Sequence, residues 1–167
     1  MTISTSSTLR SDSSTEIKDI KGTFQLVKLS PEYINQEWTA IEYAISESLP
    51  PTSHIEYENM LLEIQKVLMS ELAECWLLVS NNEPHILWVS FYSIDFLTKE
   101  KTLVVYSMYG YKKVPDSLWL KLMSTVEKIA KKEGCKKMVT TSASERVLAI
   151  VKILGWNTEY RLLTKEI

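Results

Sequence analysis

Apolar positions along this chain recur first at the spacing of a strand and then at the spacing of a helix. Residues 23–29 alternate polar and apolar side chains, which predicts a first strand. Ser30 can cap the helix that follows, and Pro31 suits its first position. Four apolar residues before the prolines at 50–51 share one face of this predicted helix: Ile34, Trp38, Ile41 and Ile45.

The middle of the chain predicts a second helix and then three strands. They cover residues 54–72 for the helix and residues 75–80, 85–96 and 102–111 for the strands. Asn81 and Asn82 suit a tight turn between the first two strands, and the polar residues 99–101 form a second turn. Gly110 predicts a bulge or a close backbone approach in the third strand.

The C-terminal part predicts a long helix over residues 117–133, with Lys131 and Lys132 in its last turn and Gly134 at its end. A strand, a helix and a last strand follow at residues 137–142, 144–154 and 156–165. The order is β-α-α-β-β-β-α-β-α-β, which predicts an α/β (α+β) domain with helices on both faces of a mixed sheet.

The start of the chain differs in composition from the rest. Residues 2–15 are rich in Ser and Thr and offer little apolar surface to offset the entropy lost on ordering. We therefore predict a flexible arm at residues 1–21 and a single domain at residues 22–167. The arm is either an inert tail or a segment that orders on a partner.

The composition and the net charge limit the classes of partner that are expected. With 45% hydrophobic and 24% charged residues, the 167-residue chain can form one globular core. A net charge of -2 and the lack of a long apolar run argue against nucleic acid and membrane partners. Cys75 and Cys135 lack metal-ligand spacing, so we expect a reducing compartment, the cytoplasm, and no metal.

Side chains that could carry chemistry are few. The sequence has no Walker loop, Gly-x-Ser-x-Gly elbow, His-Glu-x-x-His or Cys-x-x-Cys. His54 and His85 begin predicted elements, where structural roles are expected. Asp95 and Glu100 are expected in a solvated turn, and Cys135 is expected to be small and buried rather than a nucleophile.

Two compositional features each leave alternatives open. The five tryptophans and eight tyrosines either pack in the core or anchor a protein partner. A basic cluster is read as a solvated helix end in preference to a nucleic-acid patch: Lys131, Lys132, Lys136 and Lys137.

The segment 136–156 reads as a buried strand, a polar break, a helix, a stop at Gly155 and an aromatic start to the next strand at Trp156. Together with the order of elements, this ending resembles the GNAT acyltransferase superfamily over about residues 23–167. The alternative is an unrelated α/β domain of the same order. The resemblance implies a mostly antiparallel sheet and, for active members, acetyl-CoA as the cofactor.

Active members of that family bind the cofactor's pyrophosphate with a glycine-rich loop, whose N–H groups and following helix N-terminus face the phosphates. The matching segment here, 111–119, contains no glycine. Pro115 lacks an N–H group, and Asp116 or Ser117 is expected to cap the helix. If acetyl-CoA binds, the resemblance implicates six residues: Tyr109, Gly110, Tyr111, Lys112, Lys113 and Ser117.

The family's catalytic groups also have no clear counterpart. A Tyr on the last helix often protonates the leaving thiolate, and an Asn precedes it. Counting back from Gly155 places Val151 and Ser144 at these positions, and valine cannot donate a proton. The strand at residues 102–111 carries no carboxylate or histidine that could act as a base. We therefore assign no catalytic residue.

The first hypothesis is a catalytically degenerate GNAT-fold protein that needs no cofactor. It would bind protein partners through its arm and its exposed aromatic residues. A weaker resemblance in layout to internal virion proteins of short-tailed phages extends this hypothesis to a virion or assembly component, in the host cytoplasm or the virion.

The second hypothesis is an acetyl-CoA-dependent N-acyltransferase with an unusual loop. Lys112 and Lys113 would hold the phosphates, and backbone amides near residues 109–111 would polarise the thioester carbonyl. A splay between the strands at 102–111 and 137–142 would favour this hypothesis. A cleft filled by aromatic side chains such as Tyr109, Tyr111 and Trp119 would favour the first.

Overall fold

The computed structural model describes residues 14–19, 22–49, 54–142 and 145–159, and every structural statement below concerns these residues. The elements within them are β1 (Ser14–Asp19), β2 (Gly22–Lys28), α1 (Pro31–Gln36), α2 (Trp38–Ser48), α3 (His54–Met69), β3 (Ala73–Ser80), β4 (Glu83–Ile94), β5 (Lys101–Gly110), α4 (Asp116–Lys132), β6 (Lys137–Thr140) and α5 (Glu145–Ile153).

The six strands lie side by side in one sheet, in their order along the chain. Each neighbouring pair is antiparallel except β5 and β6, which are parallel. Helix α4 supplies the crossover that a parallel pair requires. This mixed, mostly antiparallel sheet confirms the predicted fold class.

Helices cover both faces of the sheet, so the central strands bury side chains on both sides. Leu77 and Leu87 lie in a core formed with α1, α2 and α3. Their strand neighbours Leu78 and Trp88 lie in the opposite core, which α4 covers. None of the helices described here combines the length and the apolarity needed to cross a membrane.

Turn and capping residues act largely as their sequence predicts. Ser30 Oγ accepts a hydrogen bond from Tyr33 N at 3.3 Å at the start of α1. Asn82, like the residue before it, has a positive φ in the two-residue turn between β3 and β4. After α5, Gly155 has a φ of +79°, and Trp156 N donates to Val151 O at 3.0 Å. The predicted glycine stop is therefore confirmed.

Several predicted elements require correction. The predicted first helix is two helices, because Glu37 leaves the helical conformation and ends α1 while its carbonyl oxygen opens α2. Part of the predicted arm, Ser14–Asp19, is strand β1 paired with β2, while residues 1–13 lie outside the described residues. Residues 156–159 of the predicted last strand are not a strand, and 160–167 lie outside the described residues.

The bulge lies away from Gly110. The pairing of β4 with β5 shifts between Val89, opposite Ser107, and Ser90, opposite Val105, which leaves Tyr106 as the extra residue of β5. A Cβ on Gly110 would meet only Lys112 O, at 3.6 Å, which is an ordinary contact. Neither the predicted bulge nor a close backbone approach therefore explains this glycine.

The two-sided core predicts a large penalty for truncating a central residue. Leu77 is 0% exposed, so Leu77→Ala should lower the free energy of unfolding by about 2–5 kcal/mol through lost transfer energy and a residual cavity. Leu62→Ala is the matched control, since Leu62 is 53% exposed, and should change it by about 0.5 kcal/mol or less. Urea unfolding followed by tryptophan fluorescence measures both, and equal losses would contradict this packing.

Candidate functional site

Strand β6 is shorter than β5, so the two strands pair over only part of β5. They pair only from Thr102 opposite Lys137 to Val105 opposite Thr140, while β5 continues to Gly110. The bulge residue Tyr106 directly follows the last pair. We call the space between the continuing β5 and the end of β6 the fork. Beyond Val105, the edge of β5 that faces away from β4 is therefore not paired with a strand in the described part of the chain.

The alternation of β5 decides which backbone groups face the fork. Tyr111 N donates to His85 O at 3.0 Å, on the β4 side, so its amide is already used. Because successive residues of a strand point their N–H groups to opposite edges, the N–H of Gly110 points away from β4, towards the fork. Of the amides predicted near residues 109–111 as carbonyl polarisers, that of Gly110 has the suitable direction.

Helix α4 begins without a side-chain cap, which corrects the prediction that Asp116 or Ser117 would supply one. Pro115 holds the N-cap position, and its carbonyl oxygen accepts from Leu118 N at 3.1 Å and Trp119 N at 3.2 Å. The Ser117 hydroxyl instead donates to Asp19 Oδ2 at 3.2 Å. The first amides of the helix are therefore not capped by its own side chains.

Arg146, from the first turn of α5, binds the loop in front of α4. Its Nη2 donates to Asp116 Oδ1 at 2.7 Å and to Val114 O at 2.6 Å, and its Nε also donates to Asp116 Oδ1, at 3.2 Å. An open depression of about 310 Å³ lies here, lined by Lys113, Val114, Pro115, Asp116 and Arg146. The Asp116 charge is thus paired within the chain, and Lys113 adds a second cation.

Sequence reasoning missed Arg146, which lies thirty residues from Asp116. One signal was available: an arginine in the first turn of a helix faces the positive end of the helix dipole, where cations are disfavoured. A tertiary partner at this position was therefore to be expected.

The predicted cofactor residues have separate positions. Lys113 lines the depression, whereas Lys112 forms an ion pair with Glu83, whose pKa is lowered chiefly by that hydrogen bond. Ser117 is bound to Asp19, as described above. Of the three predicted polar side chains, only Lys113 thus lies at the depression.

The aromatic candidates pack into the cores. The Tyr109 ring lies 5.1 Å from that of Tyr111 and 6.1 Å from that of Tyr43, on the face covered by α1 to α3. Burial raises the pKa of Tyr111, and its hydroxyl has no hydrogen-bond partner among the described residues. Trp119 packs against the opposite core.

Candidate proton-transfer groups are engaged elsewhere. The His85 ring packs edge-on against Phe24 at 5.1 Å, and its pKa is lowered, mainly by burial and then by Lys112. The Asp95 carboxylate accepts bonds within its own turn, from Leu97 N at 2.9 Å and Thr98 N at 2.7 Å. No group of three potential metal ligands occurs in the described ranges.

Comparison with known proteins adds the fold family. No protein-family model and no curated protein matches the sequence. Solved structures do match in fold. A ribosomal-protein-alanine N-acetyltransferase from Brucella melitensis biovar Abortus 2308 is 10% identical, with a TM-score of 0.64 over 86% of this chain and 99% of that chain.

Two further structures show the same likeness. Glucosamine-6-phosphate N-acetyltransferase from Arabidopsis thaliana is 13% identical, with a TM-score of 0.58 over 86% of this chain and 97% of that one. An aminoglycoside acetyltransferase from an uncultured soil metagenomic sample is 10% identical, with a TM-score of 0.62 over 86% and 95%. The chain therefore has the fold of the GNAT acetyltransferases, which confirms the fold inferred from its sequence.

The two cysteines should differ sharply in reactivity. Cys75 is 0% exposed, and burial raises the pKa of its thiol from 9.0 to about 12, whereas Cys135 is half-buried. At about pH 8, a thiol-specific disulfide reagent should label Cys135 in the folded chain and Cys75 only after unfolding.

The raised pKa of Cys75 also predicts how the stability of the fold changes with pH. An unfolded Cys75 thiol ionises at lower pH than the folded one, so raising the pH from about 9 should favour the unfolded chain. A Cys135→Ser variant isolates Cys75 in the labelling measurement. Rapid labelling of that variant in its folded form would contradict the burial of Cys75.

Proposed function

We propose that this chain binds an acyl-CoA in the fork and acts as an N-acyltransferase of the GNAT fold. The observation that carries the proposal is the end of the β5–β6 pairing at Val105 and Thr140, together with the two cations, Lys113 and Arg146, that lie at the start of α4. The thioester arm would lie in the fork, and the diphosphate would lie at the start of α4.

Charge at the start of α4 supports an anionic ligand. Lys113 and Arg146 contribute two positive charges, and Asp116 contributes one negative charge. The uncapped first turn adds the positive end of the helix dipole. Pro115 removes one amide from this turn, so side-chain cations would replace part of a backbone cradle.

The chemistry would rest on positioning. A neutral amine would attack the thioester carbonyl, whose developing negative charge the Gly110 N–H would stabilise. The N–C bond would form as the C–S bond breaks, and the leaving coenzyme A thiolate would take up the proton that the amine nitrogen loses. Val151 is buried in α5 at the place where the family's tyrosine is expected, so this helix position supplies no acid. We therefore expect turnover to be slow and to rely on proximity.

A second candidate is the degenerate binding protein. The observation that favours it is that Arg146 already makes three hydrogen bonds to the loop, which a diphosphate would have to share or replace. Under this candidate the loop is a structural clasp, and the chain acts through protein partners. The narrower role in a virion rests on the sequence resemblance alone and stays a prediction.

Calorimetry with acetyl-CoA separates the two candidates. The wild-type chain should show saturable binding below about 1 mM, and Lys113→Ala with Arg146→Ala should weaken it by about tenfold or more, because two phosphate-facing cations are lost. Lys128→Ala with Lys132→Ala is the matched control, since both are exposed lysines of α4 away from the depression. Absence of wild-type binding would leave only the second candidate.

Removing the negative charge of Asp116 should change the acetyl-CoA affinity in the opposite direction. Asp116→Asn removes the negative charge at the start of α4 and frees Arg146 for the phosphates, so acetyl-CoA affinity should rise by about threefold to tenfold. Glu127→Gln, on the exposed side of α4, should leave it unchanged. The same calorimetric titration measures both, and weaker binding by Asp116→Asn would contradict an anion at this position.

A further inference from the structure

The turn between β4 and β5 presents apolar side chains to solvent. Ile94 is 65% exposed, Phe96 is 82% exposed and Leu97 is 85% exposed. Single exposed apolar residues are common on protein surfaces, but three within four positions form a protruding apolar tip. We call residues 94–97 the tip.

Hydrogen bonds to Asp95 fix the conformation of the tip. Asp95 Oδ1 accepts bonds from Leu97 N at 2.9 Å, Thr98 N at 2.7 Å and Thr98 Oγ1 at 3.0 Å. Asp95 N donates to Glu100 O at 3.0 Å, and Lys99 N donates to Asp95 O at 2.9 Å. Since one carboxylate anchors the turn, the exposure of Phe96 and Leu97 belongs to an ordered conformation and not to a loose loop.

Cations border the tip. Lys99 Nζ lies 4.6 Å from the centroid of the Phe96 ring. At the adjacent start of β6, Lys136 N donates to Lys101 O at 2.8 Å, and Lys137 lies opposite Thr102. Lys136 and Lys137 are both exposed.

The acidic groups beside the tip are partly neutralised. Asp95, Glu100 and Glu133 are all exposed carboxylates near the tip, but Asp95 accepts bonds within its own turn and Glu133 lies 3.8 Å from Lys101. Four lysines lie beside these three carboxylates: Lys99, Lys101, Lys136 and Lys137. The surface around the tip is therefore positive although the whole chain carries a net charge of -2. The sequence argument against a membrane partner rested on the net charge of the whole chain, which does not describe the local charge around the tip.

We propose that the tip docks on an anionic lipid surface, with Phe96 and Leu97 entering the interface and the neighbouring lysines facing the headgroups. A convex apolar protrusion bordered by cations matches the two forces that hold proteins at such interfaces, apolar burial and attraction to anionic lipid. The docking is independent of whether the fork takes an acyl-CoA.

Vesicle flotation of the full chain tests this docking. The chain should float with vesicles of about 30% phosphatidylglycerol in phosphatidylcholine and much less with pure phosphatidylcholine. Phe96→Ser with Leu97→Ser should lower the partition coefficient by about tenfold or more, because the inserted apolar area is lost. Lys136→Gln with Lys137→Gln should lower the partition coefficient by about fivefold to tenfold, and only on the anionic vesicles.

The matched control is Leu62→Ser with Ile153→Ser, which removes two other exposed apolar side chains, on α3 and α5. It should float like the wild type, and thermal unfolding should show that all variants remain folded. Lack of flotation by the wild type would overturn the proposal and leave the tip as a protein contact. Equal flotation of the tip variant, or equal partition onto neutral vesicles, would overturn it as well.

Discussion

The pairing of β4 with β5, with Tyr106 as its single extra residue, is the constraint on which the rest of the structure depends. Before the bulge β5 pairs with both β4 and β6, and after the bulge β5 continues to Gly110 paired with β4 only. The shift in alternation turns the Tyr111 amide towards β4, leaving that of Gly110 towards the fork. At its opposite end the same ladder closes in the turn anchored by Asp95. One irregular ladder therefore sets the positions of both surfaces with proposed roles.

The proposed anion site at the start of α4 would rely on side-chain charge in place of a glycine-rich loop. A glycine-rich loop relies on backbone amides, which need no side-chain charge. Here Pro115 removes an amide and Asp116 adds a negative charge, and Arg146 neutralises that charge from another helix. Because this pair is substantially exposed, it contributes little to stability, and its members can exchange partners at low cost. Under the proposed function, Arg146 would therefore exchange its contact with Asp116 for the phosphates.

Sequence reasoning succeeded for some local signals, failed for the cap of α4 and the bulge at Gly110, and missed contacts that depend on tertiary packing. The helix stop at Gly155 and the cap at Ser30 follow from single residues and their neighbours. The break at Glu37 was missed because both helices bury residues in the same core, so the apolar spacing continues through it. The partner of Asp116 was missed because Arg146 reaches it only through the packing of α5. The elements around the candidate site were therefore predictable from the sequence, but the Arg146–Asp116 contact was not.

The most direct test of the account is a titration of the isotopically labelled chain with coenzyme A, followed by backbone and arginine side-chain resonances in two-dimensional NMR spectra. The account predicts saturable shifts of the Gly110, Lys113 and Ser117 amides and of Arg146 Nε–H, since these groups lie at the fork and at the start of α4. Unchanged resonances for all four groups at saturating coenzyme A would contradict it.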